Sequence, residues 1–374
     1  MAAGLEALAS DGNLVVQVDT GFTHACALVQ SGRVFCWGRN TFGGIANGTA
    51  SSLVPVPVKQ LNNVTQISVG RDHACAVRKD GRVFCWGNNS FGQLGNGVFF
   101  DNNDGMIVRV KAAPNAVQVS AGEQHTCMLM TNGRAFCWGN NLSEQLGTGK
   151  IDRNINIPTR VDTKRLFTQI SAGEDITCAL GRDQRAYCWG SNISNQLGVI
   201  GDIFGSVPKP TRVRNLERLT QVSAGIGILT RSCAVREDGV AFCWGFNSDG
   251  QVGDGTRERR RGPVRVKRLF DVEQITAGER HTCAKRENGI LTCWGNNEDG
   301  QLGDGTTTDR LLRQRVARLS NVTHVSAGFD FTCASTQSGR AFCWGLNDFG
   351  QIGNGTASFQ PNPIRQQVKR IGRP

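Results

Sequence analysis

No apolar run in this 374-residue chain approaches the ~18 residues that a membrane-spanning helix requires, so no span is expected. No segment keeps an apolar helical period for three turns, which argues against a long α-solenoid. The opening stretch, MAAGLEALASDGNLVV, lacks a basic n-region and a proper apolar h-region and does not read as a signal peptide. Tryptophan is absent everywhere except in one short motif. Trp37, Trp86, Trp138, Trp189, Trp244, Trp294 and Trp344 each stand in C-W-G. Their spacings are 49, 52, 51, 55, 50 and 50 residues. A fixed period of this size marks a repeat architecture that runs from end to end without a linker.

One copy shows how the unit is built. EQITAG (Glu273 to Gly278) alternates and ends in glycine, like a short strand entering a turn. HTCAK (His281 to Lys285) is a second strand, RENG a turn, and ILTCWG (Ile290 to Gly295) a third strand. NNEDGQLGDGT is turn chemistry, and LLRQRVARL (Leu311 to Leu319) supplies a fourth strand. Elsewhere this last segment carries proline, as in VPVPVKQL (Val54 to Leu61), which suits an edge strand. The 47 glycines exceed the roughly 7% average and fit a chain rich in tight turns.

Four antiparallel strands per unit, seven times, predicts an all-β fold: a seven-bladed β-propeller spanning 1–374 as a single domain. The repeats fall at about 15–61, 62–113, 114–166, 167–216, 217–269, 270–319 and 320–370. The ring is expected to be closed by the chain termini. The C-terminal strand (Pro363 to Arg370) would complete a sheet begun near residue 15, since an open ring exposes unpaired edges.

The 14 cysteines come two per repeat and ten apart. The candidate pairs are Cys26 with Cys36, Cys75 with Cys85, Cys127 with Cys137, Cys178 with Cys188, Cys233 with Cys243, Cys283 with Cys293, and Cys333 with Cys343. A hairpin loop at Gln30 to Gly32 places Cys26 directly across from Cys36, within disulfide range. Two readings fit this spacing: a bridge in every hairpin, or reduced pairs acting as small hydrophobes. Bridges would imply an oxidising, extracytoplasmic compartment, and reduced pairs a cytoplasmic one. In the C-W-G motif, tryptophan fills the space between neighbouring sheets, cysteine faces its partner and glycine releases the chain into a turn.

The frame G-x-x-H-[TA]-C-A, G-x-V-x-C-W-G-x-N and G-Q-[LI]-G-x-G-T resembles the regulator of chromosome condensation repeat, over Val15 to about Arg370. The resemblance implies a seven-bladed propeller, of the cysteine-paired variety found in bacterial and extracellular members. It also implies a range of roles, because one fold hosts unrelated functions. Members include an exchange factor for the small GTPase Ran, a plant ultraviolet-B photoreceptor and β-lactamase-inhibiting propellers. The photoreceptors use tryptophans outside the repeat core, and here there are none. Exchange on Ran depends on an inserted β-wedge, whereas the longest repeat here gains only a few residues, around VIGDIFGSVPKP (Val199 to Pro210).

Apparent catalytic signals dissolve on comparison between copies. His24, His73, His125 and His281 stand two before a cysteine, as in a metal site, but Ile176, Arg231 and Phe331 take their place elsewhere. Packing and hydrogen bonding between blades explain them better. GTGKI (Gly147 to Ile151) breaks the phosphate-loop pattern at Glu144 and Ile151. No catalytic residue, metal or cofactor is expected, and the chain is not expected to be an enzyme.

Charge is what remains. The net charge is +11. It concentrates in RERRRGPVRVKRL (Arg257 to Leu269), RLLRQRVARL (Arg310 to Leu319) and IRQQVKRIGR (Ile364 to Arg373). All three occupy the same part of the unit, so repeats 5, 6 and 7 are expected to form one continuous basic flank. Arg257, Arg259, Arg260, Arg261, Arg265, Lys267, Arg268, Arg310, Arg313 and Arg315 are the candidate partner-binding residues. The expected partner of this monomer is a protein or other acidic macromolecule. Regulation of a small GTPase and association with chromatin or nucleic acid are the alternatives. No aromatic residues interleave with the arginines, which disfavours single-strand recognition.

Overall fold

A computed structural model describes residues 13–48, 51–99, 105–150, 153–199, 205–227, 230–369 and 371. Its strands, β1 to β28 in chain order, form seven four-stranded antiparallel sheets arranged as a ring. There is no helix among the described residues. The first blade is β1 (Val15–Thr20), β2 (His24–Val29), β3 (Val34–Arg39) and β4 (Ser51–Pro57), hydrogen-bonded in that order. The innermost strand alternates: Val15 and Val18 are buried and Val16 is exposed. The two middle strands are buried on both faces, because blades pack on either side.

In each blade the two middle strands pair cysteine to cysteine. Cys26 stands opposite Cys36, Cys75 opposite Cys85, Cys127 opposite Cys137 and Cys178 opposite Cys188. Cys233 stands opposite Cys243, Cys283 opposite Cys293 and Cys333 opposite Cys343. All seven pairs are disulfides, with sulfur–sulfur separations of 2.04–2.13 Å. The reading of bridges within hairpins holds, and the reading of reduced pairs does not. Each bridge closes a ten-residue separation, worth at most about 3 kcal/mol in the chain-entropy account. The C-W-G glycine is required by geometry: Gly38 has φ 101°, and a Cβ there would lie 2.5 Å from the Thr23 carbonyl oxygen.

The tryptophans are fully buried at the seams between blades. Six donate the indole N–H to a backbone carbonyl of the preceding blade. Trp138 donates to Gln93 at 2.8 Å, Trp189 to Gln145 at 2.9 Å and Trp344 to Gln301 at 2.9 Å. Trp294 donates to Gln251, Trp37 to Gln351 and Trp86 to Gly44. The same glutamine carbonyls accept a second bond, from Thr126, Thr177, Thr282 and Thr332. Each of these hydroxyls is thereby committed as a donor, so it accepts from the ring nitrogen of His73, His125 or His281 in the blade before, at 2.8–2.9 Å. Arg231 takes the histidine's place in the fifth blade and donates to Thr282 at 2.7 Å. His24 has no acceptor for Nε2, because Ala74 stands where the next blade would offer a hydroxyl.

A second set of ties runs around the channel. Gln17, Gln66, Gln118, Gln221 and Gln274 each donate to and accept from the neighbouring blade's innermost strand. Gln169 accepts from the Val222 N–H at 2.8 Å, and His324 completes the circle through a hydrogen bond to the Val18 backbone.

Closure of the ring differs from expectation. The last blade is β25 (Val322–Ala327), β26 (Phe331–Thr336), β27 (Ala341–Gly345) and β28 (Gln366–Gln367), so every blade is contiguous in sequence. The C-terminal strand pairs with β27 and not with a strand begun near residue 15. The terminal blades close the ring by packing face to face. Trp37 bonds to Gln351, Thr20 to Ser326 at 2.8 Å, and Ser326 to Asp19 at 2.6 Å. No strand exchange is needed, because this seam carries the same tryptophan contact as the others.

The seventh tryptophan, Trp244, has no acceptor for its N–H. Trp138→Phe and Trp244→Phe remove equal volume, but only the first removes a hydrogen bond. Trp138→Phe is expected to lower stability by about 1 kcal/mol more, read as the difference between their urea midpoints. Equal midpoints would show that the indole bond contributes nothing.

Candidate functional site

The candidate cations lie on the perimeter, where β20 (Arg260–Arg265) and β24 (Arg310–Arg315) are the outermost strands of the fifth and sixth blades. They fall into two groups along each strand. Each strand begins beside the C-W-G glycine, Arg260 opposite Gly245 and Arg310 opposite Gly295. Each ends beside the hairpin, Arg265 opposite Phe242 and Arg315 opposite Thr292. The cations therefore divide between the two ends of these bulged strands, three partner residues or about 10 Å apart.

At the first end most heads are engaged. Arg260 reaches Asp254 at 2.5 Å and Arg310 reaches Asp304 at 2.9 Å. Burial opposes ionisation of both aspartates, but bonds from Thr256 and Arg260, or Thr306 and Arg310, outweigh it and hold the carboxyls below their usual value. Arg257 donates to the Ser248 carbonyl at 2.6 Å and faces Asp309 at 3.5 Å. Arg259 donates to the Ile193 carbonyl at 3.2 Å, and Arg261 is exposed.

At the second end the heads are more open. Arg265 stacks over Phe270 at 5.0 Å, and Lys267, Arg268 and Arg315 are exposed. Arg313 reaches back to the Arg268 carbonyl. Arg218, Arg268 and Arg318 recur at one turn position with φ of 58°, 56° and 52°. Glycine and asparagine are the residues that adopt this left-handed backbone readily, so arginine there carries a conformational cost. Arg370 and Arg373 of the third basic segment, and residues 200–204 of the longest repeat, lie outside the described residues.

A second feature escaped sequence reasoning. The turns after the innermost strands gather Phe22, Arg71, Glu123, Ile226 and Phe329 around one mouth of the channel. Phe22 and Phe329 meet at 3.8 Å between ring centroids, Arg71 lies 4.8 Å over Phe22, and Arg71 pairs with Glu123. Acids crowd the same turns. Burial, then the charges of Glu123 and Asp175, push the Glu174 carboxyl up to about 9. Burial and then Asp330 push Glu279 up to about 8. Burial and then Asp299 push Asp330 up to about 7. The signal was present as acids following the turn glycine in GRD, GEQ, GED, GER and GFD. The channel behind the mouth holds a cavity of ≈ 200 Å³ lined by the glutamine circle. Among the described residues, no three His, Cys, Asp or Glu side chains are grouped to hold a metal ion.

These carboxyls keep protons in the folded state that the unfolded chain releases near its ordinary value of 4.5 for glutamate. Between about 4.5 and 9 the folded state binds more protons, so stability falls as pH rises. The urea midpoint is expected to drop from about pH 6 to pH 9, and Glu174→Gln/Glu279→Gln to reduce that drop. An unchanged pH slope in the double variant would contradict the assignment.

The profile of the RCC1-like domain matches residues 4–271, and the regulator of chromosome condensation (RCC1) repeat matches 272–301, 322–351, 288–335 and 338–372. The ultraviolet-B receptor UVR8 of Arabidopsis thaliana is 32% identical over 280 residues, 73% of this chain and 51% of that protein. The E3 ubiquitin-protein ligase HERC2 of Homo sapiens is 28% identical over 276 residues, 71% of this chain and 6% of that protein. The chain thus spans about half or less of these relatives. The structure of yeast RCC1 (Prp20) bound to Kap60 superposes with a TM-score of 0.81 at 22% identity, covering 91% of this chain and 84% of that one. Human WBSCR16 gives 0.77 at 24% identity, with coverage of 86% and 87%. With the domain and repeat profiles together spanning the seven blades, the chain belongs to the regulator of chromosome condensation (RCC1) repeat family.

Proposed function

We propose that this propeller is a non-enzymatic binding module that docks an acidic macromolecular partner on its basic perimeter. One observation carries the reading. Of ten candidate cations, Arg260 and Arg310 are neutralised internally, while Arg265, Arg268 and Arg315 are exposed toward the hairpin end of adjacent outer strands. Arginine predominates, which favours bidentate contact with carboxylate or phosphate. Prp20p of Saccharomyces cerevisiae, whose structure superposes on this chain with a TM-score of 0.78, has binding properties toward Gsp1p and histones. At 19% identity that likeness supports the fold alone, so exchange on a GTPase is kept as an arm of the test.

Retention on poly-L-glutamate and on duplex DNA over a salt gradient measures the docking surface. Arg265→Glu/Arg268→Glu/Arg315→Glu is expected to elute at clearly lower salt from poly-L-glutamate, with an affinity loss of about tenfold or more and an unchanged melting curve. Arg260→Glu leaves Asp254 buried beside a second carboxylate and is expected to lower the melting temperature instead. Parent-like retention of the triple variant would reduce this edge to a solubilising surface. Accelerated nucleotide release from a small GTPase would favour the exchange reading, and selective retention on DNA the nucleic-acid one.

A further inference from the structure

The outermost strands carry a regularity that extends well beyond the fifth and sixth blades. In each of the second to sixth blades, the outer residue paired with the position after the start of the C-W-G strand is arginine. Arg109 pairs with Phe84, Arg160 with Phe136, Arg212 with Tyr187, Arg265 with Phe242 and Arg315 with Thr292. In the first and seventh blades the position is Pro57 and Gln367, so the row begins and ends at the seam where the ring closes. Four of the five are exposed and Arg212 is half-buried. Among the described residues only Arg212 has a carboxylate within ion-pair distance, Glu217 at 2.7 Å.

A recess interrupts the row at its midpoint. A cavity of ≈ 630 Å³ lies between the fourth and fifth blades, lined by Arg212, Arg214, Arg218 and Arg236 together with Glu217, Glu237 and Asp238, the last paired with Arg236 at 2.6 Å. That volume is within the range of a ligand site. Glu217 is shared between Arg185 and Arg212, and Glu237 is taken by Arg218. Arg214 gives one bond to the Arg261 carbonyl, and its Nε–H has no acceptor. Arg214 is therefore the one lining cation without a carboxylate partner among the described residues.

The shape of the row selects among polyanions. It follows a perimeter of roughly 20 Å radius, three strand spacings outside the channel wall. Duplex DNA, with a persistence length of about 150 bp, does not bend smoothly on that radius, whereas a flexible chain can. Three of the rings beside the row already carry a guanidinium on one face: Tyr187 from Arg165, Phe242 from Arg236 and Phe270 from Arg265. Seven fully buried disulfides belong to an oxidising compartment, where nucleic acid is not the prevailing polyanion.

We propose that this arginine row is a track for a linear anionic polysaccharide bearing sulfate or carboxylate groups. The recess at Arg214 is its strongest single site for one anionic sugar. The proposal rests on the reading of the perimeter as an anion-docking surface, and it names the ligand class and adds the second to fourth blades.

Heparin, a heparin tetrasaccharide and a duplex DNA of equal charge are the probes, titrated calorimetrically against the full chain at two salt concentrations. Arg109→Glu/Arg160→Glu lies outside the edge tested above. It is expected to weaken full-length heparin about tenfold and leave the tetrasaccharide unaffected. Arg214→Ala is expected to weaken the tetrasaccharide severalfold. Lys150→Glu/Arg153→Glu is the control, with the same charge change at the opposite end of the third blade's outer strand, about 15 Å away. It is expected to change heparin affinity less than about twofold. Circular dichroism checks that each variant is folded. Equal losses in control and row variants would overturn the track, since only diffuse charge would be at work. Tighter binding of DNA than heparin, with DNA sensitive to Arg109→Glu/Arg160→Glu, would overturn the ligand class while leaving a docking perimeter in place. Retained heparin binding by Arg109→Glu/Arg160→Glu, beside lost poly-L-glutamate binding by the fifth- and sixth-blade variant, would sink this proposal alone.

Discussion

The structure depends on one backbone carbonyl per seam. In the G-Q-[LI]-G turn, the glutamine carbonyl accepts both the indole N–H and the threonine hydroxyl of the following blade, as at Gln93, Gln145, Gln251 and Gln301. Both donors and the carbonyl are buried, so leaving any of them unpaired costs more than forming the bond gains. This asymmetry explains why a turn on one blade and a tryptophan on the next must arrive together. It also explains the second glycine of the turn. A Cβ on Gly353 would lie 2.6 Å from the Trp37 indole nitrogen, so the turn can approach the ring only without a side chain.

Where the seam chemistry changes, the local consequence follows from the donor count. His24 is left without an acceptor by Ala74, and Arg231 replaces histidine by reaching the same hydroxyl of Thr282. Burial lowers the Arg231 guanidinium to about 9, yet it also donates to the carbonyls of Glu279 and His281. Three acceptors around one buried cation make the substitution tolerable. The ring also accommodates Ile176 at the histidine position, where Ser232 of the next blade still donates to the Gln196 carbonyl.

Much of this is legible in the sequence because the repeat exposes its own grammar seven times. The C-W-G period sets the blade count, and the ten-residue cysteine spacing sets the hairpin register. Ring closure is not legible in the same way. The need to protect strand edges suggests an exchange between the termini, but Trp37 and Gln351 provide the indole bond found at five other seams. The basic segments read as one flank because composition carries no direction. Strand register sets Arg260 and Arg265 three partner residues apart, about 10 Å, and pairs Arg260 with an aspartate six residues earlier. The acidic mouth is hidden for a related reason. Acids after a turn glycine look like solvated loops until the ring brings five such turns together.

Division of labour between the two kinds of cross-link explains where function can reside. Disulfides act within blades, joining the middle strands, whereas the tryptophan and glutamine ties act between blades. Neither involves the outermost strand beyond its pairing to the third. That strand runs from seven residues in the third blade to two in the second and seventh. Its outward side chains are thus the least constrained by the ring, and a charge pattern written there does not disturb the seams. A row of arginines in equivalent register across five blades is a feature that ring stability neither requires nor opposes, so its origin has to be sought in what the perimeter meets.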